Sequence, residues 1–129
     1  MSSNIIKFLE SSSIENPCLV IDMEVVEKSF RKIQKAYLGS DIFYAVKANS
    51  NQAIIKLMHS LGAGADVVSV GELKRALSAG VESQKIIFEG VGKSLEDILF
   101  AIEQNIRLIN IESLEELHQI SSIATSLNK

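Results

Sequence analysis

The sequence predicts an α/β fold of repeated strand–helix units, and three observations predict it. Short apolar runs begin near residues 42, 65, 85 and 107, a period of roughly 20 residues, as in successive βα units. Each run is followed by a stretch of helical character. Serines at the run-to-helix junctions and glycines at helix ends, Gly62 and Gly80, punctuate the repeat.

Taken in order, residues 4–14 form a short amphipathic helix carrying Ile5, Ile6 and Leu9. The Ser11–Ser13 tract loosens it, and Pro17 ends anything helical. Cys18–Ile21 is a short buried-strand candidate. Asp22 then caps a helix reaching about Leu38, whose Val26, Phe30, Ile33 and Tyr37 recur at helical spacing. Its charges, Glu24, Glu27, Lys28, Arg31, Lys32 and Lys35, form a solvated face. The regular part follows: strand 42–47, helix 51–61, strand 65–68, helix 70–79, strand 85–88, helix 95–104, strand 107–111 and helix 114–127. Ser69-x-x-Glu72 and Ser113-x-x-Glu116 have capping-box form, and Ser94-x-x-Asp97 is a weaker variant.

Strands alternating with helices imply a parallel sheet with right-handed crossovers. Two architectures fit. An open doubly wound sheet could use 18–21 as a fifth strand. The other is part of a (β/α)8 barrel, which typically needs about 250 residues. The 129 residues favour the open sheet on length, and the motifs below favour the barrel.

Composition narrows the function. The net charge is -3 and the pI is near 5.4, which argues against a phosphate-backbone binder. No apolar run approaches the roughly 18 residues of a membrane span. The N-terminus lacks a cationic region ahead of a long apolar stretch, so no secretory signal is expected. A single cysteine, Cys18, cannot form an internal disulfide and fits a reducing cytoplasm. His59 and His118 have no second ligand at helical spacing, so no metal site is expected.

In either architecture, chemistry belongs at the C-terminal ends of the strands. Lys47, Asp66, Glu89, Lys93 and Asn110 fall there. Alternation along the first strand puts Phe43, Ala45 and Lys47 on one face and Tyr44 and Val46 on the other; Tyr44 then packs under the helices. Lys47 reads in two ways. It is a solvated lysine at a strand end, or a partly desolvated amine, which burial favours in the neutral form and which can form a Schiff base. Asp66 is either a polar group satisfied by backbone or a carboxylate facing Lys47 from the adjacent strand. Gly90-Val91-Gly92-Lys93-Ser94 lacks the glycine spacing of a phosphate-binding Walker loop.

Tyr44-Ala45-Val46-Lys47-Ala48-Asn49 resembles the pyridoxal-phosphate attachment segment of the decarboxylases built on an alanine-racemase-like barrel. That group includes diaminopimelate, ornithine and arginine decarboxylases. Gly64–Leu73, Ala79-Gly80-Val81, Ile87–Ser94 and Asn110–Ser113 are most similar to the diaminopimelate branch. Ser50-Asn51-Gln52 departs from the Tyr-Gly-His that follows this motif in alanine racemases. The likeness runs from about Pro17 to about Leu117.

The resemblance implies that Lys47 binds pyridoxal 5'-phosphate and that Asp66 lies on the pocket wall beside it. It implies decarboxylation of meso-2,6-diaminopimelate to L-lysine in lysine biosynthesis, with an amino acid as substrate and a homodimeric full-length relative. The fold it implies is a partial (β/α)8 TIM-type barrel, about its first four βα units, preceded by a short strand and helix. Residues 1–16 are then an N-terminal segment and 17–129 the N-terminal half of the barrel. The family's ring-stacking histidine, phosphate loop, ring-nitrogen acid and C-terminal β domain are expected beyond residue 129, so the chain is expected to be inactive alone and to associate or fold poorly. The alternatives are an ornithine- or arginine-type decarboxylase fragment and a non-catalytic α/β remnant or binding module.

Overall fold

The computed structural model describes residues 2–13 and 17–129. The chain divides into two compact units, Met1–Ser40 and Asp41–Lys129.

The first unit holds helices α1 (Ser3–Ser11) and α2 (Met23–Ala36). Residue 14, the far end of the predicted first helix, lies outside the described residues. Asp22 caps α2 as the sequence predicts, its Oδ1 accepting from the N–H groups of Glu24 at 2.9 Å and Val25 at 3.4 Å. Its other oxygen accepts from the Ser2 hydroxyl. Two expectations fail in this unit. The short strand at Cys18–Ile21 does not form: Leu19 is 83% exposed and the sheet contains no strand from this region. Four apolar residues make a strand only where a sheet edge pairs with them. The apolar stripe of α2 is covered only in its first half, with Phe30 buried and Ile33 and Tyr37 exposed.

The second unit is the repeat. Strands β1 (Phe43–Ala45), β2 (Gly64–Val67), β3 (Ile86–Phe88) and β4 (Leu108–Ile109) alternate with α3 (Gln52–Ser60), α4 (Val70–Ser78), α5 (Leu95–Glu103) and α6 (Leu114–Ser126). The strands are parallel and stand in the order β1-β2-β3-β4. A doubly wound sheet reverses its order at a switch point. Sequential order without reversal is that of a barrel wall, so the open-sheet alternative is set aside.

Register fixes the two faces. Tyr44, Ala65 and Ile86 align, as do Val67, Phe88 and Ile109. These point toward the helices and make the core with Ile55, Leu73, Ala76 and Ala101; Ala65, Val67, Ile86 and Phe88 are all but inaccessible. The opposite face carries Phe43, Ala45, Asp66, Ile87 and Leu108. It is more open, with Leu108 50% exposed. Side chains on near-continuous apolar strands thus divide unequally between a packed face and an open one.

Local punctuation explains the element ends. α4 stops at Gly80, whose φ is +93, a conformation cheap only without a Cβ. α5 ends instead before Asn105 at φ +55; asparagine tolerates this region, and the sequence reading assigned no stop there. The serine caps form as predicted, with one reversal of rank. Ser94–Asp97, expected to be the weaker box, is the reciprocal one: Asp97 N–H donates to Ser94 Oγ at 3.1 Å and Ser94 N–H donates to Asp97 Oδ2 at 2.9 Å. Glu72 and Glu116 reach one residue further back, accepting from the N–H of Val68 and Glu112.

Candidate active site at the strand ends

The C-terminal ends of β1–β4 gather the polar residues singled out in sequence. Lys47 lies there, but not on the strand. β1 ends at Ala45, and Val46–Ala48 form a 3₁₀ turn. Val46 is fully buried in the helix-side core with Tyr44, the face that alternation gives it, while Lys47 sits on the turn and not on the strand. Lys47 is exposed, in line with the solvated of its two sequence readings and not with the partly desolvated one. Among the described residues no hydrogen bond or ion pair occupies its ammonium group.

Asp66 sits one strand over, with Ala45 its partner in register. It is half-buried, and its Oδ1 is buried with no hydrogen-bond partner. The backbone-satisfied reading therefore fails for that oxygen. Burial pushes the Asp66 carboxyl above its ordinary value; the charge of Glu89 pushes the same way, the nearby Lys47 opposes it, and Glu72 adds a smaller push upward. Lys47 and Asp66 thus act on each other electrostatically across the mouth of the sheet.

The other three candidates form a brace. Asn110 Nδ2 donates to Glu89 Oε1 at 3.3 Å. Lys93 donates to the carbonyls of Gly90 at 2.7 Å and Asn110 at 2.8 Å, and to Glu116 Oε1 at 3.0 Å. The side chains of Lys93 and Glu116 are 2% and 9% exposed. All three ammonium protons of Lys93 are committed, and the ends of β3 and β4 are held together with the start of α6. A lysine so placed is not free for a phosphate, in agreement with the missing Walker spacing. Burial pushes the Glu116 carboxyl up, but the Glu112 N–H and the Lys93 ammonium outweigh it and hold it below its ordinary value.

Glu116 was read from sequence only as a capping acid. Its partner lies 23 residues away, and the one available signal was that a lysine folded back over a tight strand-end loop needs a counter-charge. His59 Nδ1 is buried without a partner. Among the described residues no group of three or more His, Cys, Asp or Glu could hold a metal ion, and no helix is long and apolar enough to cross a membrane.

An exposed primary amine beside a buried, partnerless carboxyl oxygen is a chemical invitation to an aldehyde. Comparison with known proteins points the same way. The family described as "Pyridoxal-dependent decarboxylase, pyridoxal binding domain" matches residues 23–128. Diaminopimelate decarboxylase of Helicobacter pylori strain J99 is 45% identical over 115 residues, covering 88% of this chain and 28% of the relative. The Campylobacter jejuni enzyme of the same name is 42% identical over 114 residues, covering 87% and 28%. The crystal structure of diaminopimelate decarboxylase from Helicobacter pylori complexed with L-lysine superposes with a TM-score of 0.86 at 38% identity, covering 97% of this chain and 32% of that one. The chain therefore spans under a third of the length of these relatives.

Proposed function

Because the chain belongs to the pyridoxal-dependent decarboxylases, within their pyridoxal-binding domain, we propose that it supplies the cofactor-anchoring part of a diaminopimelate decarboxylase. On this reading the whole enzyme removes one carboxyl group from meso-2,6-diaminopimelate and yields L-lysine. The observation that carries it is the placement of Lys47, exposed just past β1 and in electrostatic reach of the partnerless Asp66 oxygen. The names and identities of the relatives support the diaminopimelate branch over the ornithine and arginine ones.

The residues present fit pyridoxal phosphate, the family's cofactor. Lys47 offers an unengaged amine to hold its aldehyde, and Asp66 offers a buried acceptor or donor with no other duty. When bound, that cofactor provides the electron sink that lets an amino acid lose its carboxylate as carbon dioxide. The remaining work is the chain's own. Asp66 holds or releases a proton at Oδ1: burial and Glu89 favour the neutral carboxyl, and Lys47 favours the ion. A change of charge on Lys47 therefore changes the protonation of Asp66. The Lys93–Glu116 brace fixes the loop after β3, and with it Glu89, while taking no part in binding. The rest of the site comes from parts of the family fold outside this stretch. The complete enzyme is a homodimer acting in the cytoplasm, and sedimentation of the complete gene product checks the first of these. Exposed Cys18, with no disulfide partner, fits the second.

The test is chemical. The complete gene product is mixed with pyridoxal phosphate, reduced with borohydride and mapped by mass spectrometry, alongside a carbon dioxide release assay on diaminopimelate. Label concentrated on Lys47 and lost in Lys47→Ala supports the reading. Label scattered over surface lysines and unchanged by Lys47→Ala overturns it.

A further inference from the structure

The geometry points to Tyr44 as a positioning residue for Lys47, acting through the backbone of the turn that presents it. The inference rests on the reading of Lys47 as the attachment point. Tyr44 leaves β1 on the helix side, where its ring packs against the core. Its hydroxyl then reaches past the whole Val46–Ala48 turn and donates to the carbonyl of Asn49 at 3.0 Å.

The turn needs such a hold. Its N-cap, Ala45, provides no side-chain cap, and a 3₁₀ turn has poorer hydrogen-bond geometry than a helix. It is pinned at its start by Val46, which is fully buried. At its exit the chain returns to extended backbone at Asn49, and there the Tyr44 hydroxyl fastens it. Asn49 carries the restraint forward: its Oδ1 accepts from the Asn51 N–H at 3.0 Å, and Asn51 caps α3 through the Ala53 N–H at 2.9 Å. Lys47 lies between the two pins. Its own side chain is exposed and held by no partner among the described residues, so the position of its amine depends on the backbone beneath it, and small displacements of an attacking group cost rate steeply. Burial raises the Tyr44 phenol above its ordinary value, which keeps the hydroxyl in its donating form.

Tyr44→Phe keeps the ring and removes only the donor. In the complete gene product, the pyridoxal phosphate concentration that half-saturates borohydride-trapped label at Lys47 is expected to rise about three- to tenfold, as for one hydrogen bond of ordinary net worth. Label on other exposed lysines should stay put, and the thermal midpoint should fall by no more than about 4 °C. Amide exchange across residues 46–50, measured without cofactor, should quicken in the variant. Equal labelling of Lys47 in wild type and Tyr44→Phe, or unchanged exchange across 46–50, overturns the proposal alone. Wild type that fails to label selectively at Lys47 overturns the parent reading and this one with it. Should Tyr44→Phe fold poorly, Tyr44→Met, which also removes the donor while filling the same apolar space, gives the comparison: labelling at Lys47 that equals wild type in it also overturns the proposal.

Discussion

Lys93→Met tests the brace at the strand ends. The substitution removes three hydrogen bonds at 2.7, 2.8 and 3.0 Å and leaves Glu116, 9% exposed, as a carboxylate with one remaining donor, the Glu112 N–H at 2.7 Å. An exposed ion pair is worth about 0–1 kcal/mol. Breaking a buried one costs about 3–5 kcal/mol, because the surviving charge is stranded away from water. The latter regime applies here. At about 1.4 kcal/mol per tenfold, local opening should become roughly two to three and a half orders of magnitude more frequent. Hydrogen exchange in the complete gene product reads this directly in peptides spanning residues 88–94 and 108–117.

The sharper part is the rescue. Adding Glu116→Gln to Lys93→Met removes the stranded charge while keeping an acceptor for Glu112, so the double variant should be more protected than Lys93→Met alone. The wild-type contribution also has a pH signature. The Glu116 carboxyl lies below its ordinary value near 4.5 in the folded chain, so its contribution is full above that value and is lost as pH falls through the lower, folded one. A Lys93→Met cost below about 1 kcal/mol, or a double variant no better than the single, would refute the argument.

Two further perturbations follow from the same strands. Asp66 has its carboxyl raised, first by burial, so its contribution has the opposite sign: stability is full below the ordinary aspartate value of about 3.9 and falls as pH rises through the higher, folded one; cofactor-free Asp66→Asn should therefore be more stable than wild type at neutral pH, with the gain vanishing in acid, and a gain independent of pH in thermal melts would contradict it. Gly64→Ala would place a Cβ 2.5 Å from the Lys85 carbonyl oxygen and 2.5 Å from the Phe43 ring, and the forced shift between β1, β2 and β3 should cost about 1–3 kcal/mol in urea unfolding; a neutral effect would show that the strands separate freely.

The repeat was legible because its punctuation is local. Glycine and serine positions mark helix ends within a few residues, and every predicted strand and helix from 42 onward is present, most of them shorter by a residue or more at an end. What lay beyond reach was set by partners distant in sequence. Cys18–Ile21 looks like a strand, but no residue in it says whether an edge will pair with it. Lys47 looks like a strand end, yet the strand stops at Ala45 and a 3₁₀ turn carries Lys47. The Lys93–Glu116 pair and the Asn110–Glu89 bond join side chains 23 and 21 residues apart, and no periodicity reports such a distance. A carboxylate facing Lys47 from the adjacent strand was one of two sequence readings of Asp66, and the register of Ala45 with Asp66 shows the adjacent strand on which it lies.

Two lysines lie past the ends of parallel strands in this unit, and their surroundings are opposite. Lys93 is the more buried, its side chain 2% exposed, and so the better shielded from water. But its three protons are held by two carbonyls and a carboxylate, and freeing the nitrogen would strand Glu116 at a cost of about 3–5 kcal/mol. Lys47 has the opposite arrangement: an amine bound to nothing among the described residues, on a turn pinned by Val46 and fastened by Tyr44. The backbone is held and the side chain is left unengaged, the arrangement that the proposed covalent anchor calls for. On the proposed reading, desolvating the exposed Lys47 falls to the bound cofactor and to the remainder of the family fold, not to β1.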